Sequence, residues 1–288
     1  MISVARPAKG IWAQLPLLAR VAMVWLVTIV AVTLLAFVWT PHNPTHIDIA
    51  ARLRSPDFTH VFGTDHFGRD VLSMLMVGGR ASLAIALGSV GLGMALGVPL
   101  GLLAAARRGL VDGFVMRMND MLFALPSLLL AILLTAVRGP GAVTAIIAIG
   151  IFNIPVFARV TRGAALSLWT QDFVASARTV GRSSLGISRD HILPHLWLLL
   201  LTQMIIQMSV GITAEAGLSY IGLGVQPPLA SWGRMLNEAQ TFVGTAPWLA
   251  LFPGGAIILT VMSLGIAADH LTTGEHSNTY GPTTVPAL

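Results

Sequence analysis

The sequence lacks several residue types on which soluble enzymes commonly depend. Among 288 residues it has no cysteine, a single lysine and only 10% charged side chains, where a soluble domain has roughly 25%. Without cysteine, disulfides and thiolate metal sites are excluded in every compartment. The lysine, Lys9, is followed by glycine, so the Gly-Lys-Ser/Thr sequence of a phosphate-binding loop is missing. The sequence therefore excludes ATP hydrolysis by that route, and it excludes Schiff-base catalysis within the apolar part of the chain.

Apolar residues are abundant instead. They make up 55% of the chain, and the mean hydropathy is +0.79. The first apolar run resembles a signal peptide, but its length and the lack of a small-x-small cleavage site indicate an uncleaved anchor. Six runs are long enough to cross about 30 Å of hydrocarbon: 21–39, 81–105, 114–137, 142–160, 193–214 and 248–268. We therefore predict an all-α membrane protein with about six transmembrane helices.

The basic residues predict the orientation of these helices. With the N-terminus in the cytoplasm, most of the Lys and Arg residues lie on the inner side, in accord with the positive-inside bias, which the reverse orientation would violate. The net charge of +5 could also suggest a nucleic-acid partner, but topology explains it better, and we predict no nucleic-acid binding. The inner basic residues are Arg6, Lys9, Arg20, Arg107, Arg108, Arg117, Arg159, Arg162, Arg178, Arg182 and Arg189; the outer ones are Arg52, Arg54, Arg69, Arg80, Arg138 and Arg234.

These assignments divide the chain into segments. The core of the transmembrane domain is interrupted by a cytoplasmic loop at 161–192. In order, the segments are a cytoplasmic tail (1–20), the anchor helix (21–39), an extracytoplasmic segment (40–80), the core (81–268) and a second cytoplasmic tail (269–288).

Small residues and prolines in the spans predict how the helices pack. Gly93, Gly97 and Gly101 recur every four residues, so they share one helix face and allow a neighbouring backbone to approach closely. The alternative is that glycine is simply common in membrane helices. Proline removes a backbone donor and bends or breaks a helix, which we expect at Pro99, Pro126 and Pro155.

The cytoplasmic loop contains a basic, small-residue stretch, FVASARTVGRSSLGISRDHILPHL (173–196). Asp172 is a candidate N-cap for a short helix, on which Phe173, Ala177 and Val180 share a face. Gly181 fits the left-handed position that ends such a helix. This pattern predicts a helix and a sharp turn lying across the inner surface, although a helical loop without a partner can show it by chance.

A second short helix follows the turn. Ser183 or Ser184 can cap its N-terminus, and Pro194 is tolerated where the fifth span begins. Ala175 and Ala177 leave the first helix thin, so a bulky partner can lie close against it.

These residues resemble the cytoplasmic "EAA" loop of permease subunits of bacterial ATP-binding-cassette importers. The triplet Ala175-Ser176-Ala177, Gly181 and Pro194 match its spacing, although alanine stands where the loop's glutamate is usual. Further segments are similar to the C-type subunit of the oligopeptide, dipeptide and nickel group. They are HVFGTDHFGRDVLSMLMVGGRASL (60–83), RMNDMLFALPSLLLAI (117–132) and EAGLSYIGLGVQPPLASWGRML (215–236).

The resemblance implies a type I importer permease fold and a subunit that is not itself an enzyme. It implies that ATP and Mg²⁺ are bound by two partner ATPase subunits and that this chain binds no cofactor. It also implies two further partners, a homologous B-type permease and an extracytoplasmic solute-binding protein. The expected location is the bacterial inner membrane, with both termini in the cytoplasm. Peptides are the expected cargo, with nickel or a metal chelate as the alternative. The residues expected to contact the ATPase are Phe173, Ala175, Ala177, Arg178, Gly181, Arg182 and Ser183.

The outer segment GTDHFGRD predicts a turn held by pairing between aspartate and arginine; direct contact with substrate is the alternative. Its residues of interest are Gly63, Asp65, Gly68, Arg69 and Asp70.

Four histidines belong to the same outer segment. The spacing of His42, His46, His60 and His66 fits no common zinc pattern. We therefore predict no metal site.

Polar residues in the spans are few. Glu215 is either functional or an interhelical hydrogen-bond partner, and Gln203 and Gln207 either line a weakly polar path or bond neighbouring helices. Two other function classes fit less well. An intramembrane hydrolase needs a nucleophile and a base inside the spans, but the histidines lie outside the span interiors. A channel or stand-alone carrier needs charged rings or ion sites, and the span interiors have few charged residues.

Overall fold

The computed structural model describes residues 16–124 and 126–279. Regular structure in this part of the chain is helical, apart from one isolated bridge between Thr64 and Asp70, so the all-α prediction is confirmed. Residues 1–15 and 280–288 of the two predicted tails lie outside the described residues. The helices are α1 (Leu17–Leu35), α2 (Val71–Ala106), α3 (Leu110–Ala124), α4 (Ser127–Arg138), α5 (Ala142–Leu168), α6 (Asp172–Thr179), α7 (Ser184–Ile187), α8 (Trp197–Tyr220), α9 (Trp232–Ala239) and α10 (Trp248–Thr279).

Among the described residues, five helices are long and apolar enough to cross a membrane: α1, α2, α5, α8 and most of α10. Helices α3 and α4 are long and apolar enough only as a pair and meet at a bend of 83°, so the number of spans is five, or six with this pair counted as one broken span. The break occurs at Pro126, which stands before the first residue of α4 and cannot donate a backbone hydrogen bond. Pro99 and Pro155 instead lie inside the continuous helices α2 and α5. The prediction of about six spans is confirmed.

Several helices extend beyond the apolar runs. Helix α2 begins at Val71 rather than at residue 81, because the carboxylate of Asp70 accepts a hydrogen bond from the Ser73 backbone N–H (2.8 Å) and caps the helix. Arg80, predicted to precede the span, lies within it and packs over the Phe37 ring at 3.5 Å from the ring centroid. Helix α5 continues to Leu168, so the predicted loop begins after residue 168 rather than at 161.

Within the described residues, the most extensive contact between two helices is that of α2 with α5. A Cβ added at Gly93 would lie 2.3 Å from Cβ of Asn153, and one at Gly97 would lie 2.5 Å from the carbonyl oxygen of Ile154. Gly101 is equally close, at 2.5 Å from a carbonyl oxygen of α5. The glycine face of α2 therefore lies directly against the backbone of α5, as close helix packing requires.

Candidate functional site

Residues 172–196 form a helical hairpin between α5 and α8, which we call the 172–196 hairpin. Asp172 lies in the first turn of α6, one position after the N-cap residue Gln171, where a carboxylate complements the helix dipole. Ser183 caps α7 by accepting a hydrogen bond from the Gly186 backbone N–H (3.2 Å). A helical run then leads through Pro194 into α8.

Gly181 makes the turn between the two helices. Its φ is +79°, which a β-branched residue strongly disfavours. The Gly181 N–H donates to the Arg178 carbonyl (2.9 Å), and the Arg182 N–H donates to the Ala177 carbonyl (3.2 Å), as in a Schellman motif. A Cβ at Gly181 would have no other atom within 4 Å. The conformation of the backbone, and not lack of space, therefore requires glycine here.

The buried face of the hairpin joins it to the transmembrane core. Val174 is 1% exposed and belongs to the same apolar cluster as Trp169 and Ile187. The Phe173 ring stacks on His195 with the centroids 5.0 Å apart. The same cluster contains Ala165 of α5 and Leu200 of α8, so the hairpin packs on the end of α5 and the start of α8.

The exposed face of the hairpin differs from the predicted one. Phe173 and Ala177 are partly buried and pack against the buried cluster, so they do not share a face with Val180 as the helical spacing predicts; their contact with an ATPase stays a prediction. Val180 instead is 82% exposed, because α6 ends at Thr179 and the turn carries Val180 away from that face. Leu185 is also exposed, at 79%, and its place on this face was not predicted from the sequence. The sequence signal for such a residue is an isolated apolar side chain between Ser and Gly just after the turn.

The other predicted contact residues lie on the exposed side: Ala175, Arg178, Gly181, Arg182 and Ser183. Arg182 pairs with Asp190 across the hairpin (2.7 Å), and the Arg178 guanidinium lies over the Trp169 ring, 5.1 Å from the centroid. The hairpin thus presents two apolar side chains, Val180 and Leu185, within a polar and basic border.

At the opposite end of α2, Arg69 joins two carboxylates. Its Nε donates to Oδ2 of Asp65 (2.6 Å), and its Nη2 donates to Oε2 of Glu238 in α9 (2.8 Å). All three side chains are mostly buried. We call this set the Arg69 clamp. Because Arg69 occupies both carboxylates, the geometry favours the structural interpretation of this segment over direct contact with substrate.

The two glycines of the segment shape the loop beneath the clamp. Gly63 and Gly68 have φ values of +74° and +76°. A Cβ at Gly68 would lie 1.8 Å from the carbonyl oxygen of Asp48, so the loop closes against another backbone segment. Asp70 follows directly and caps α2.

Replacing Arg69 with alanine is expected to lower the free energy of unfolding by about 3 kcal/mol, because Asp65 would remain buried without a cation, although Glu238 would keep its pairing with Arg234 (3.0 Å). Thermal unfolding of the purified chain in detergent measures the effect. The control is Arg52→Ala, on the same segment, whose side chain is exposed. Equal stability of the two variants would contradict the clamp.

Glu215 is fully buried in α8. Its Oε1 accepts a hydrogen bond from the Ser219 hydroxyl one turn later (2.6 Å). The hydroxyls of Ser82 and Ser231 approach the same carboxyl group, but Oε2 has no hydrogen bond of good geometry. The side chain therefore lies among hydroxyls from α2 and from the residue before α9. This position between helices agrees with one of the two predicted roles, that of an interhelical hydrogen-bond partner.

Gln207 and Gln203 differ in their surroundings. The buried Gln207 amide donates to Oδ1 of Asn153 in α5 (2.7 Å), whereas Gln203 is half-buried. Since Asn153 also lies under Gly93, the Gln207 bond closes a junction of α2, α5 and α8. This geometry favours helix bonding over a pore-lining role for Gln207.

The sequence profile of one family matches residues 97–274, a region that includes the whole hairpin and Glu215. The family is described as "Binding-protein-dependent transport system inner membrane component". The chain belongs to this family.

Similar curated proteins extend the match over most of the chain. The chain is 36% identical over 272 residues to the glutathione transport system permease protein GsiD of Pectobacterium atrosepticum, covering 93% of this chain and 90% of that protein. It is 40% identical over 255 residues to GsiD of Escherichia coli, covering 88% and 84%. The dipeptide transport system permease protein DppC of Alkalihalophilus pseudofirmus is 34% identical over 254 residues, with the same coverage.

A solved structure supports the fold. An inward-facing structure of the MetNI methionine ABC transporter contains a chain that matches with a TM-score of 0.58 and 18% identity, covering 70% of this chain and 95% of that one. The fold of this family member is therefore that of an importer permease, and it is a multi-pass membrane protein.

Two ion pairs between α3 and α5 were not predicted from the sequence. Arg162 on α5 donates two hydrogen bonds to Asp112 on α3 (2.5 and 2.6 Å). Arg159 pairs with Asp120 (2.5 Å). The arginines are one turn apart on α5, whereas the aspartates are two turns apart on α3, so their spacing in the sequence does not indicate that they pair. Both pairs join α3 to α5, and the less exposed Arg162–Asp112 pair contributes more to this contact than the exposed Arg159–Asp120 pair does.

Proposed function

We propose that this chain is one permease subunit of an ATP-driven importer of short peptides, in which it forms half of the translocation pathway. In this proposal a cytoplasmic ATPase subunit receives the 172–196 hairpin, and the hairpin transmits the ATPase's movement to the spans. The observation that carries the proposal is a rigidly turned hairpin whose one face is buried among α5 and α8 and whose other face exposes Val180 and Leu185.

The buried face explains how movement would pass into the membrane. Val174 and Ile187 are fully enclosed beside Phe157 of α5 and Leu200 of α8. Close-packed interiors are poorly compressible, so displacement of the hairpin displaces both spans. ATP hydrolysis in the partner is the energy source, because this chain has no phosphate-binding loop of its own.

The exposed face explains what the partner would recognise. Val180 and Leu185 stand out from the surface on either side of Gly181 and are suited to fill an apolar groove, while Arg178 and Arg182 supply a polar rim, as is common at protein interfaces. The small side chain of Ala175 allows the partner to approach α6 closely.

The cargo is proposed from the relatives. Their names specify glutathione and dipeptide transport, which share short peptide chemistry. A pathway built from sparsely charged spans would impose little selection of its own, so we assign selection of the peptide to a separate solute-binding protein. The Arg69 clamp would lie on the side from which that protein delivers cargo, and both tails would be cytoplasmic.

Reconstitution tests this function. The chain is placed in liposomes with the second permease and the ATPase subunits that co-purify with it, and uptake of labelled dipeptide and glutathione is measured with the solute-binding protein and ATP. We expect peptide uptake that requires ATP and every subunit, with no uptake of nickel. Peptide uptake by the chain alone would contradict the proposal.

A further inference from the structure

Three side chains that are distant in sequence meet beside the Arg69 clamp. His42 lies in the segment after α1, His60 lies in the loop before α2, and Asp70 caps α2. Nδ1 of His60 is 2.9 Å from Oδ1 of Asp70, and Nδ1 of His42 is 3.6 Å from the same oxygen. Ligand atoms of the three residues all lie within 4.8 Å of one another. The spacing of the histidines in the sequence does not reveal this cluster, because Asp70 joins it only in the folded chain.

We propose that His42, His60 and Asp70 form a resident binding site for a divalent transition-metal ion of the Zn²⁺ class. Imidazole nitrogen and carboxylate oxygen are ordinary ligands of this ion, at about 2.0 to 2.2 Å, so two ligand atoms in tetrahedral geometry are about 3.3 Å apart. The observed separations of 2.9 and 3.6 Å lie on either side of that value. His42 is partly exposed, which leaves the fourth position open to water.

The ligands are held in place by their surroundings. Oδ2 of Asp70 accepts hydrogen bonds from the backbone N–H and the hydroxyl of Ser73 (2.8 and 2.7 Å), so Oδ1 is directed at the two histidines. The backbone N–H of His42 donates to the same Ser73 hydroxyl (2.9 Å). Such outer contacts orient metal ligands and raise affinity.

The loop that carries His60 is also ordered. The His60 backbone N–H donates to Oδ1 of Asp57 (2.6 Å), and the Thr59 backbone N–H donates to the same oxygen (2.8 Å). The turn therefore presents His60 to Asp70 in a defined orientation.

One ring atom of the cluster lacks a partner. Nδ1 of His42 is shielded from solvent and makes no hydrogen bond, since 3.6 Å to Asp70 is too long for one. Leaving a buried polar atom unsatisfied costs roughly 1 to 3 kcal/mol. A metal ion between His42 and Asp70 would satisfy this nitrogen.

A neighbouring cluster of similar composition serves as a contrast. Asp65, His66 and Glu238 also lie close together, but Arg69 already binds both carboxylates, and its positive charge opposes a metal cation. Salt bridges of Asp70 within the described residues involve only His42 and His60. The charge environment therefore favours the Asp70 cluster.

A metal ion here would have a structural effect distinct from transport. It would tie the segment that leaves α1 to the N-terminus of α2, in a chain that has no cysteine to form a disulfide. Binding to the folded state alone raises the apparent stability, so we expect Zn²⁺ to raise the unfolding temperature of the full chain.

The test is a titration of the full chain, purified in detergent and treated with chelator, with Zn²⁺ and separately with Mg²⁺ as a control. Isothermal titration calorimetry reports affinity and stoichiometry. We expect one equivalent of Zn²⁺ to bind, and we expect His42→Ala and His60→Ala to weaken binding by more than about tenfold. His46→Ala, an exposed histidine near the site, and His66→Ala, from the contrasting cluster, should bind as the parent does.

Several outcomes would overturn the site. These are no stoichiometric binding by the parent chain, unchanged binding in both His42→Ala and His60→Ala, or loss of binding in His66→Ala alone. If the histidine variants fail to fold, X-ray absorption of the Zn²⁺-loaded parent chain decides the question. Two imidazole ligands support the site, and ligation by oxygen alone refutes it.

Discussion

Replacing Gly181 with valine is expected to abolish ATP-driven uptake while the subunit remains folded and inserted. The turn requires φ of +79° at this position, and the left-handed conformation costs an L-residue roughly 1 to 2 kcal/mol, with β-branched residues disfavoured further. Relief of that strain would rotate Val180 away from Leu185 and break the bond from the Arg182 N–H to Ala177. In the reconstituted complex, ATP hydrolysis would then continue without peptide uptake.

Gly109→Val is the matched control. Gly109 joins α2 to α3, has φ of +84° and, like Gly181, has no atom within 4 Å of an added Cβ. Both variants therefore suffer the same kind of backbone strain, and their unfolding temperatures should fall similarly. Coupled uptake should be lost only at Gly181. Normal uptake in Gly181→Val, or equal loss in both variants, would argue against the hairpin as the coupling element.

Replacing Gly97 with leucine is expected to prevent the subunit from folding stably. A Cβ at Gly97 would lie 2.5 Å from the carbonyl oxygen of Ile154 and 2.8 Å from Cβ of Phe157. Because these are backbone or first side-chain atoms of α5, they cannot rotate away, and the two helices must separate. Overpacking typically costs about 1 to 3 kcal/mol and occasionally more, and we expect a value at the upper end because backbone atoms are in the way. The effect is measured as loss of monodisperse protein and a lowered unfolding temperature in detergent.

Gly91→Leu provides the comparison on the same helix. Gly91 is exposed, and an added Cβ would meet nothing within 4 Å. This variant should fold as the parent does, because a leucine directed at lipid is favourable. If both variants were equally stable, the α2–α5 contact would not depend on the glycine face.

The periodic and local features of this protein could be predicted from the sequence. Long apolar runs predict spans because every backbone group in lipid must bond within its own helix. The glycine at 181 predicts its turn because few other residues tolerate positive φ. Gly93, Gly97 and Gly101 predict a close helix contact, although the sequence could not identify α5 as the neighbour.

Features that depend on distant residues could not be predicted in this way. Val180 follows the helical period of Phe173, yet it lies on the opposite surface because the helix ends one residue earlier. Helix α2 begins where Asp70 caps it. The length of an apolar run does not reveal this start, because the residues of the first turns of α2 precede the run. Likewise His42, His60 and Asp70 are separated in sequence and come together only through folding of the segment between α1 and α2.

Site-specific cross-linking tests the coupling proposal most directly. Because the chain has no cysteine, Val180→Cys introduces a single thiol at an 82% exposed position, and Phe58→Cys introduces one at an exposed position near the other end of α2. A thiol-reactive photocrosslinker is attached to each variant in the assembled complex. We predict capture of the nucleotide-hydrolysing subunit from residue 180 and not from residue 58. Failure to capture that subunit from residue 180, both with and without ATP, would contradict the account.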